Sequence, residues 1–213
     1  MPTLPDVLRR ALARPLPGLD AQLRMAPRFE GVPPPRVPEP DFRPAAALLL
    51  LYPLDDRWHL PLTVRGSRLR HHTGQVSLPG GRIDPGESPE AAALREAQEE
   101  VAIHPGGVEV LGRLTPLPIG VSRHLLHPIV AVSPRRPDFR VAETEVERLI
   151  EVPLALLQDP AAVGCEQRPY SLPPHTLMDV PYFNVGGVRV WGATAMVLAE
   201  FLTLVCHRAR SLL

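Results

Sequence analysis

The sequence contains no lysine, only two cysteines and no excess of either charge. All 23 basic residues are arginine and 23 acidic residues balance them, so the formal net charge is zero. A general nucleic-acid-binding protein carries a marked basic excess, and we therefore expect no nucleic-acid partner. Cys165 and Cys206 form no CxxC pair, which leaves no zinc-binding pattern. We expect both to be free thiols, as is usual in a reducing compartment.

Long hydrophobic runs are also missing. The most apolar stretch, 193–206, is interrupted by Glu200 and is shorter than the ~20 residues that cross a bilayer. The N-terminal residues 1–14 alternate apolar side chains with arginines and lack the apolar run of a secretory signal. These absences predict a cytoplasmic protein with no membrane partner.

The length of 213 residues fits one main domain with an extension. We assign residues 1–44 to an N-terminal helix followed by a proline-rich wrapping segment, and residues 45–213 to the main domain. Prolines recur so often between 15 and 44 that an extended conformation is favoured there.

Segments typical of strands and helices alternate along the main domain, which predicts an α/β sandwich. Apolar or alternating runs predict strands at 45–52, 59–65, 75–78, 108–114, 128–132 and 189–191. Helices are predicted at 4–13, 153–157 and 193–210. Asp55-Asp56 predicts a turn, and Pro79-Gly80-Gly81 is expected to break the third strand.

The clearest helix begins after Ser88, which is a good N-cap, and extends to about Ile103. At 100° per residue its apolar side chains share one face. Glu96, Glu99 and Glu100 share the opposite face, with Arg95 beside them. Spacings of three and four residues place their β-carbons ~5–6 Å apart. Carboxylates that close repel one another unless a cation compensates them. A solvated helix face is the simpler alternative for an arbitrary helix.

The preceding turn-rich loop, 81–87, delivers a further carboxylate, Glu87, to the start of this helix. Gly81, Glu87, the run Arg95-Glu96-Ala97 and the run Glu99-Glu100-Val101 together match the spacing of the Nudix box. The chain therefore resembles the Nudix hydrolases. One departure is Ala102, which stands where that family usually has glycine. We expect it to shift the following turn without removing a ligand.

The resemblance implies a Nudix α/β/α sandwich with a mixed central sheet and a loop–helix–loop catalytic motif. It implies Mg²⁺ or Mn²⁺ as cofactor, since ligands that are all oxygen suit these ions. Glu96 and Glu100 are the expected main ligands. Glu99 is expected to be a further ligand or an orienting carboxylate, and the Gly81 carbonyl is a further candidate ligand. Arg95 is expected to pair with Glu87 or Glu99 and to brace the loop rather than to touch substrate.

The general base stays open at this point. Glu99 is the nearer candidate, and some members of the family use a glutamate from a distant loop. The candidates for such a distal base lie in one acidic stretch, in which plain surface residues are an equal alternative: Glu143, Glu145 and Glu147.

An upstream pattern resembles the accessory signature of Nudix coenzyme A pyrophosphatases. Arg65, Arg70 and Gly74 hold their expected places, although Pro61, Gly66 and Leu78 replace the usual leucine, serine and phenylalanine. The implied reaction is hydrolysis of coenzyme A or its derivatives to 4′-phosphopantetheine (or its acyl form) and adenosine 3′,5′-bisphosphate. The implied substrate-binding residues are Arg65, Arg70 and Gly74.

Two other functions remain open from the sequence. The same chemistry on ADP-ribose, NADH or a dinucleoside polyphosphate is one, and a catalytically silent Nudix module that binds a nucleotide is the other. A small nucleotide is the expected partner, and for the silent module a protein partner is the alternative. The pattern does not distinguish a monomer from a homodimer.

Overall fold

The computed structural model describes residues 3–29, 42–66, 75–169 and 177–206. Five helices are assigned within these residues: α1 Leu4–Leu12, α2 Gly18–Gln22, α3 Pro89–Val101, α4 Leu154–Gln158 and α5 Ala193–Cys206. The first six strands are β1 Arg28–Phe29, β2 Arg43–Leu54, β3 Arg57–Arg65, β4 Val76–Ser77, β5 Gly80–Arg82 and β6 Glu109–Arg113. The others are β7 Leu117–Ile119, β8 His124–Val132, β9 Val146–Pro153, β10 Val163–Pro169, β11 Leu177–Val185 and β12 Val188–Trp191.

The central sheet has eight strands and is mixed. Its main path runs β4-β3-β2-β8-β6, with β5 beside β2, β7 beside β8 and β9 beside β3. Strands β2 and β8 are parallel, whereas the other pairs in this sheet are antiparallel. Five of the six predicted strands therefore lie in this sheet as β2, β3, β4, β6 and β8. The turn at Asp55-Asp56 joins β2 to β3, with both residues at positive φ.

Helices cover both faces of this sheet, which confirms the predicted three-layer architecture. Strand β2 is buried on both faces, so its side chains alternate between two apolar clusters. Leu48 and Leu50 pack with the alanines of α3, and Leu49 and Leu51 pack with α1 and α5 on the other side. The catalytic motif predicted from the sequence thus lies on one face, and the N-terminal and C-terminal helices lie on the other.

The N-terminal segment is more helical than the sequence predicted. Helix α1 occupies the expected place, but α2 and a 3-10 turn at Leu23–Met25 lie where an extended chain was expected. That prediction was wrong because residues 18–26 contain no proline, so the rule that excludes helices does not apply to them. The division at residue 44 stays a prediction.

A fully buried carboxylate joins this segment to α5. Glu200 accepts hydrogen bonds from Gln22 Nε2 at 2.8 Å, from Gly18 N at 3.1 Å and from the Thr115 hydroxyl at 2.6 Å. The Thr115 amide lies 3.3 Å from both of its carboxylate oxygens. Glu200 therefore holds α2 and the end of the β6–β7 connection against the last helix.

A second sheet was not predicted beyond its β12 strand. It has four strands, with β11 between β10 on one side and β1 and β12 on the other. Prolines and charged residues within β10 and β11 hide the alternation of a strand in the sequence. Among the described helices, none has the length and apolar character required to span a bilayer.

Candidate active site

The candidate site begins at β5, which was expected to be only a chain break. Gly80 and Gly81 instead pair with Ala47 and Ala46 of β2. A β-carbon at Gly80 would lie 2.3 Å from the Ala46 carbonyl oxygen, so only glycine permits this approach. The two glycines therefore place the beginning of the motif directly against the centre of the sheet.

Helix α3 begins as predicted and ends two residues early. The Ser88 hydroxyl accepts from the Ala91 amide at 3.2 Å, and Pro89 occupies the first turn. Ala102 ends the helix in the left-handed region, with φ 58 and ψ 30. The position favours glycine because of this conformation, which costs an L-residue ~1–2 kcal/mol.

Arg95 holds the loop 81–87 against the helix. Its Nε and Nη2 donate to the two carboxylate oxygens of Glu87 at 3.0 and 3.1 Å, and Nη2 also donates to the Arg82 carbonyl at 3.0 Å. These hydrogen bonds hold the pKa of Glu87 below its usual range. Bidentate geometry of this kind fixes both partners, and it is the arrangement that the sequence predicted.

The remaining nitrogen of Arg95 faces the glutamate cluster. Nη1 donates to Glu96 at 3.0 Å and to Glu99 at 3.2 Å. The Glu99 side chain is 59% exposed, whereas that of Glu96 is 17% exposed. One guanidinium group therefore braces the loop and partly neutralises the two carboxylates beside it.

The Glu96 carboxylate lies against the backbone of Gly81. A β-carbon at Gly81 would lie 2.4 to 2.5 Å from the carboxylate atoms of Glu96. Burial raises the pKa of Glu96, and the charges of Glu99 and Glu145 raise it further, while Arg95 opposes the shift. The missing side chain at Gly81 thus makes the space that the carboxylate occupies.

Glu100 is buried, although the helical projection places it on the polar side of α3. It is only 6% exposed and accepts a hydrogen bond from the Gly80 amide at 3.2 Å. Burial raises the pKa of Glu100 to about 7, with Glu96 and Glu145 adding to the shift and Gly80 and Arg65 opposing it. A helical projection treats α3 in isolation. It therefore does not include β5, which packs over this side of the helix and buries Glu100.

The loop after β8 passes the end of α3 and carries a further carboxylate, Glu145. The amides of Arg140 and Ala142 donate to the Val101 and Glu100 carbonyls at 3.2 and 2.8 Å, which caps the end of α3. Glu145 follows in a turn, and its carbonyl accepts from the Gly66 amide at 3.0 Å.

Of the three acidic residues predicted in this loop, Glu145 is the one whose charge acts on both Glu96 and Glu100. Glu143 lies in the same turn. Glu147 is on strand β9, so its prediction as a loop residue was wrong. The local sequence does not distinguish the three glutamates as candidate bases. Their positions depend on the hydrogen bonds that hold the loop to the end of α3.

Arg65 lies at the end of β3 beside this loop. Its Nε is buried and has no acceptor among the described residues, and its charge lowers the pKa of Glu100. The other two predicted substrate residues, Arg70 and Gly74, lie outside the residues that the structure describes.

The cluster has the chemistry of a divalent-cation site. Glu96, Glu100 and Glu145 are oxygen donors whose charges act on one another, and the Glu96 carboxylate lies in the space left by the missing side chain of Gly81. In the described part of the chain, however, no three acidic, histidine or cysteine side chains converge into a ready-made cation site. Arg95 and the Gly80 amide instead engage the carboxylates. The side chains are nevertheless oxygen donors, the type that a divalent cation binds, and Arg95 is the present partner of Glu96.

Comparison with known proteins decides the family. The NUDIX domain profile matches residues 41–168, which includes the sheet, α3 and the loop carrying Glu145. The chain belongs to the Nudix family. Relatives named "Uncharacterized Nudix hydrolase NudL" share 45% identity over 114 residues in Citrobacter koseri and 47% over 97 residues in Escherichia coli strain K12. These matches cover 53% and 45% of this Nudix chain, and they span 59% and 50% of the relatives' own length.

The same fold is present in a solved structure. The MutT/nudix family protein from Enterococcus faecalis superimposes with a TM-score of 0.52 over 86% of this Nudix chain and 68% of that one. The sequence identity is 14%, so the likeness concerns the fold alone.

Proposed function

We propose that the protein is a divalent-cation-dependent hydrolase that cleaves the diphosphate bond of coenzyme A or its derivatives. The observation that carries the proposal is the burial of Glu100 among like charges. Within the described residues one backbone amide, that of Gly80, donates to it, and the neighbouring Glu96 lies against the Gly81 backbone. Placing charges this close costs stability unless a ligand compensates them, and a cation is such a ligand.

Glu96 and Glu100 are proposed as the main ligands of Mg²⁺ or Mn²⁺, with Glu99 and the Gly81 carbonyl as further ones. Such an ion neutralises diphosphate oxygens and lowers the pKa of a bound water. Arg95 and Glu87 act as positioning residues, since their bidentate pair fixes the loop that presents Gly81.

Glu145 is proposed as the general base in preference to Glu143, Glu147 or Glu99. It is exposed, its charge acts on both Glu96 and Glu100, and Arg95 donates to Glu99 instead. In the proposed step a water oxygen bonds to one phosphorus while the bridging P–O bond breaks. Glu145 takes the water proton, and both products leave as phosphate monoesters.

Coenzyme A is proposed as the substrate because the chain carries the accessory pattern upstream of the site. Arg65 supports this, since its charge lies beside the carboxylate cluster where substrate phosphates would bind. Arg70 and Gly74 complete the pattern in the sequence.

A substrate panel tests this function directly. We expect hydrolysis of coenzyme A with added Mg²⁺ to release adenosine 3′,5′-bisphosphate, and we expect a chelator to abolish it. Dephospho-coenzyme A, ADP-ribose, NADH and a dinucleoside polyphosphate should be turned over more slowly. Equal or faster turnover of ADP-ribose would remove the coenzyme A proposal but keep the diphosphatase. No turnover of any diphosphate would leave the silent binding module.

A further inference from the structure

The loop between β8 and β9, residues 133–145, makes a second set of contacts with residues outside the carboxylate cluster. Arg136 lies near its start. Its Nε and Nη2 donate to the two carboxylate oxygens of Glu151 on β9, at 2.8 and 2.7 Å. A bidentate pair of this kind restrains both position and orientation of the loop.

A buried tyrosine completes this contact. The hydroxyl of Tyr52 donates to Glu151 Oε2 at 2.8 Å, and the tyrosine is fully buried at the end of β2. Because β2 is the central strand of the sheet, Glu151 is held to a rigid element. These hydrogen bonds and Arg136 hold the pKa of Glu151 below its usual range, so the carboxylate stays charged.

Phe139 extends the contact along the loop. Its ring centre lies 5.4 Å from that of Tyr52, and the Arg136 guanidinium lies 5.3 Å from the Phe139 ring centre. Both distances are typical of aromatic and cation–π contacts. Phe139 also packs against the apolar cluster that contains the alanines of α3. We call Tyr52, Arg136, Phe139 and Glu151 the loop anchor.

The loop reaches the site immediately after the anchor. Ala142, three residues beyond Phe139, donates its amide to the Glu100 carbonyl at 2.8 Å. The Glu145 amide then donates to the Ala142 carbonyl at 2.9 Å. The segment between the anchor and Glu145 is thus too short to absorb much movement at the anchor.

We infer that the loop anchor is a positioning device for catalysis, which sets the place of Glu145 relative to Glu96 and Glu100. The inference rests on the proposed role of Glu145. Arg136 and Glu151 themselves do not touch the reacting atoms. They act through the backbone of residues 139–145, which carries their restraint to Glu145.

A double-mutant cycle tests the inference. We expect Arg136→Gln to lower kcat on the order of 10- to 100-fold with little change in KM, since small misplacements of a catalytic group have effects of this size. Glu145→Gln should lower kcat at least as much. The double variant should be no slower than Glu145→Gln alone, because Arg136 acts only through that residue. Multiplying effects in the double variant would overturn the inference.

A matched control removes another arginine–glutamate pair of the surface. Arg9 Nη2 on α1 lies 2.6 Å from Glu109 on β6, and neither residue belongs to the catalytic motif. Arg9→Gln should therefore leave kcat unchanged. An equal loss of kcat in Arg9→Gln would show a general effect of removing an ion pair and would contradict the positioning role.

Amide hydrogen exchange gives a readout that needs no activity. In Arg136→Gln the Ala142 amide should exchange faster than in the wild type, while core amides of β2 keep their protection. Unchanged protection at Ala142 would overturn the anchor. If instead the wild-type protein hydrolyses no diphosphate, the proposed function fails, and the exchange measurement still decides whether the anchor positions the loop.

Discussion

Two buried glutamates on two helices show how differently one side chain type is used in this fold. Glu200 on α5 is fully buried, and its oxygens are engaged by Gly18, Gln22 and Thr115. Glu100 on α3 is nearly as buried, but within the described residues only the Gly80 amide donates to it, and other carboxylates surround it. Neutral donors fixed by the fold satisfy the hydrogen-bonding needs of the Glu200 carboxylate. The Glu100 carboxylate keeps lone pairs that can bind a ligand.

The comparison separates stability from function. Satisfied buried carboxylates hold elements together, and removing them leaves donors without partners. An under-satisfied carboxylate amid like charges opposes folding and is retained for another reason. We therefore expect a substitution at Glu100 to lower activity without lowering stability. A substitution at Glu200 should lower stability without lowering activity.

The largest effect is expected at Glu100. Glu100→Gln should lower the rate of diphosphate hydrolysis by well over ~100-fold, since even outer-shell changes around metals cost ~10–100-fold. Its free energy of unfolding should not fall, because the neutral amide removes a repelling buried charge. Steady-state kinetics and urea denaturation measure the two. Glu90→Gln on the same helix, which loses only its pair with Arg113, is the control and should remain active.

The reverse outcome is expected at Glu200. Glu200→Gln places an NH₂ group among donors, which leaves buried groups unsatisfied and should lower the free energy of unfolding by about 2–3 kcal/mol. The rate of hydrolysis per folded molecule should stay near that of the wild type. A variant that is stable but inactive would contradict the structural role of Glu200 and remove the contrast with Glu100.

The smallest effect is expected at the end of α3. Ala102→Gly should raise the free energy of unfolding by about 1 kcal/mol, because glycine adopts the left-handed conformation without steric cost. The same substitution at the exposed Ala91 in the first turn of α3 should lower it by about 0.5–1 kcal/mol. Urea denaturation compares the two variants, and equal signs would show that the conformation of residue 102 does not matter.

Local sequence patterns predicted much of the fold, including the loop 81–87 that is followed by helix α3. The N-cap Ser88, the burial of β2 and the pairing of Arg95 with Glu87 all depend on residues close in the chain. Features that depend on distant partners were missed. Glu200 contacts Gly18 across 182 residues, and the burial of Glu100 comes from Gly80 on a strand whose pairing with β2 the sequence does not show. The helix α2 was missed because a proline count over a long segment hides a short stretch without proline.

Binding of Mn²⁺ tests the central claim most directly, because it does not require the substrate to be known. Titration followed by the electron paramagnetic resonance of free Mn²⁺ should show binding by the wild type and by Glu200→Gln, and strongly weakened binding by Glu100→Gln. Unchanged binding by Glu100→Gln, or its loss in a folded Glu200→Gln variant, would contradict the assignment of the two carboxylates.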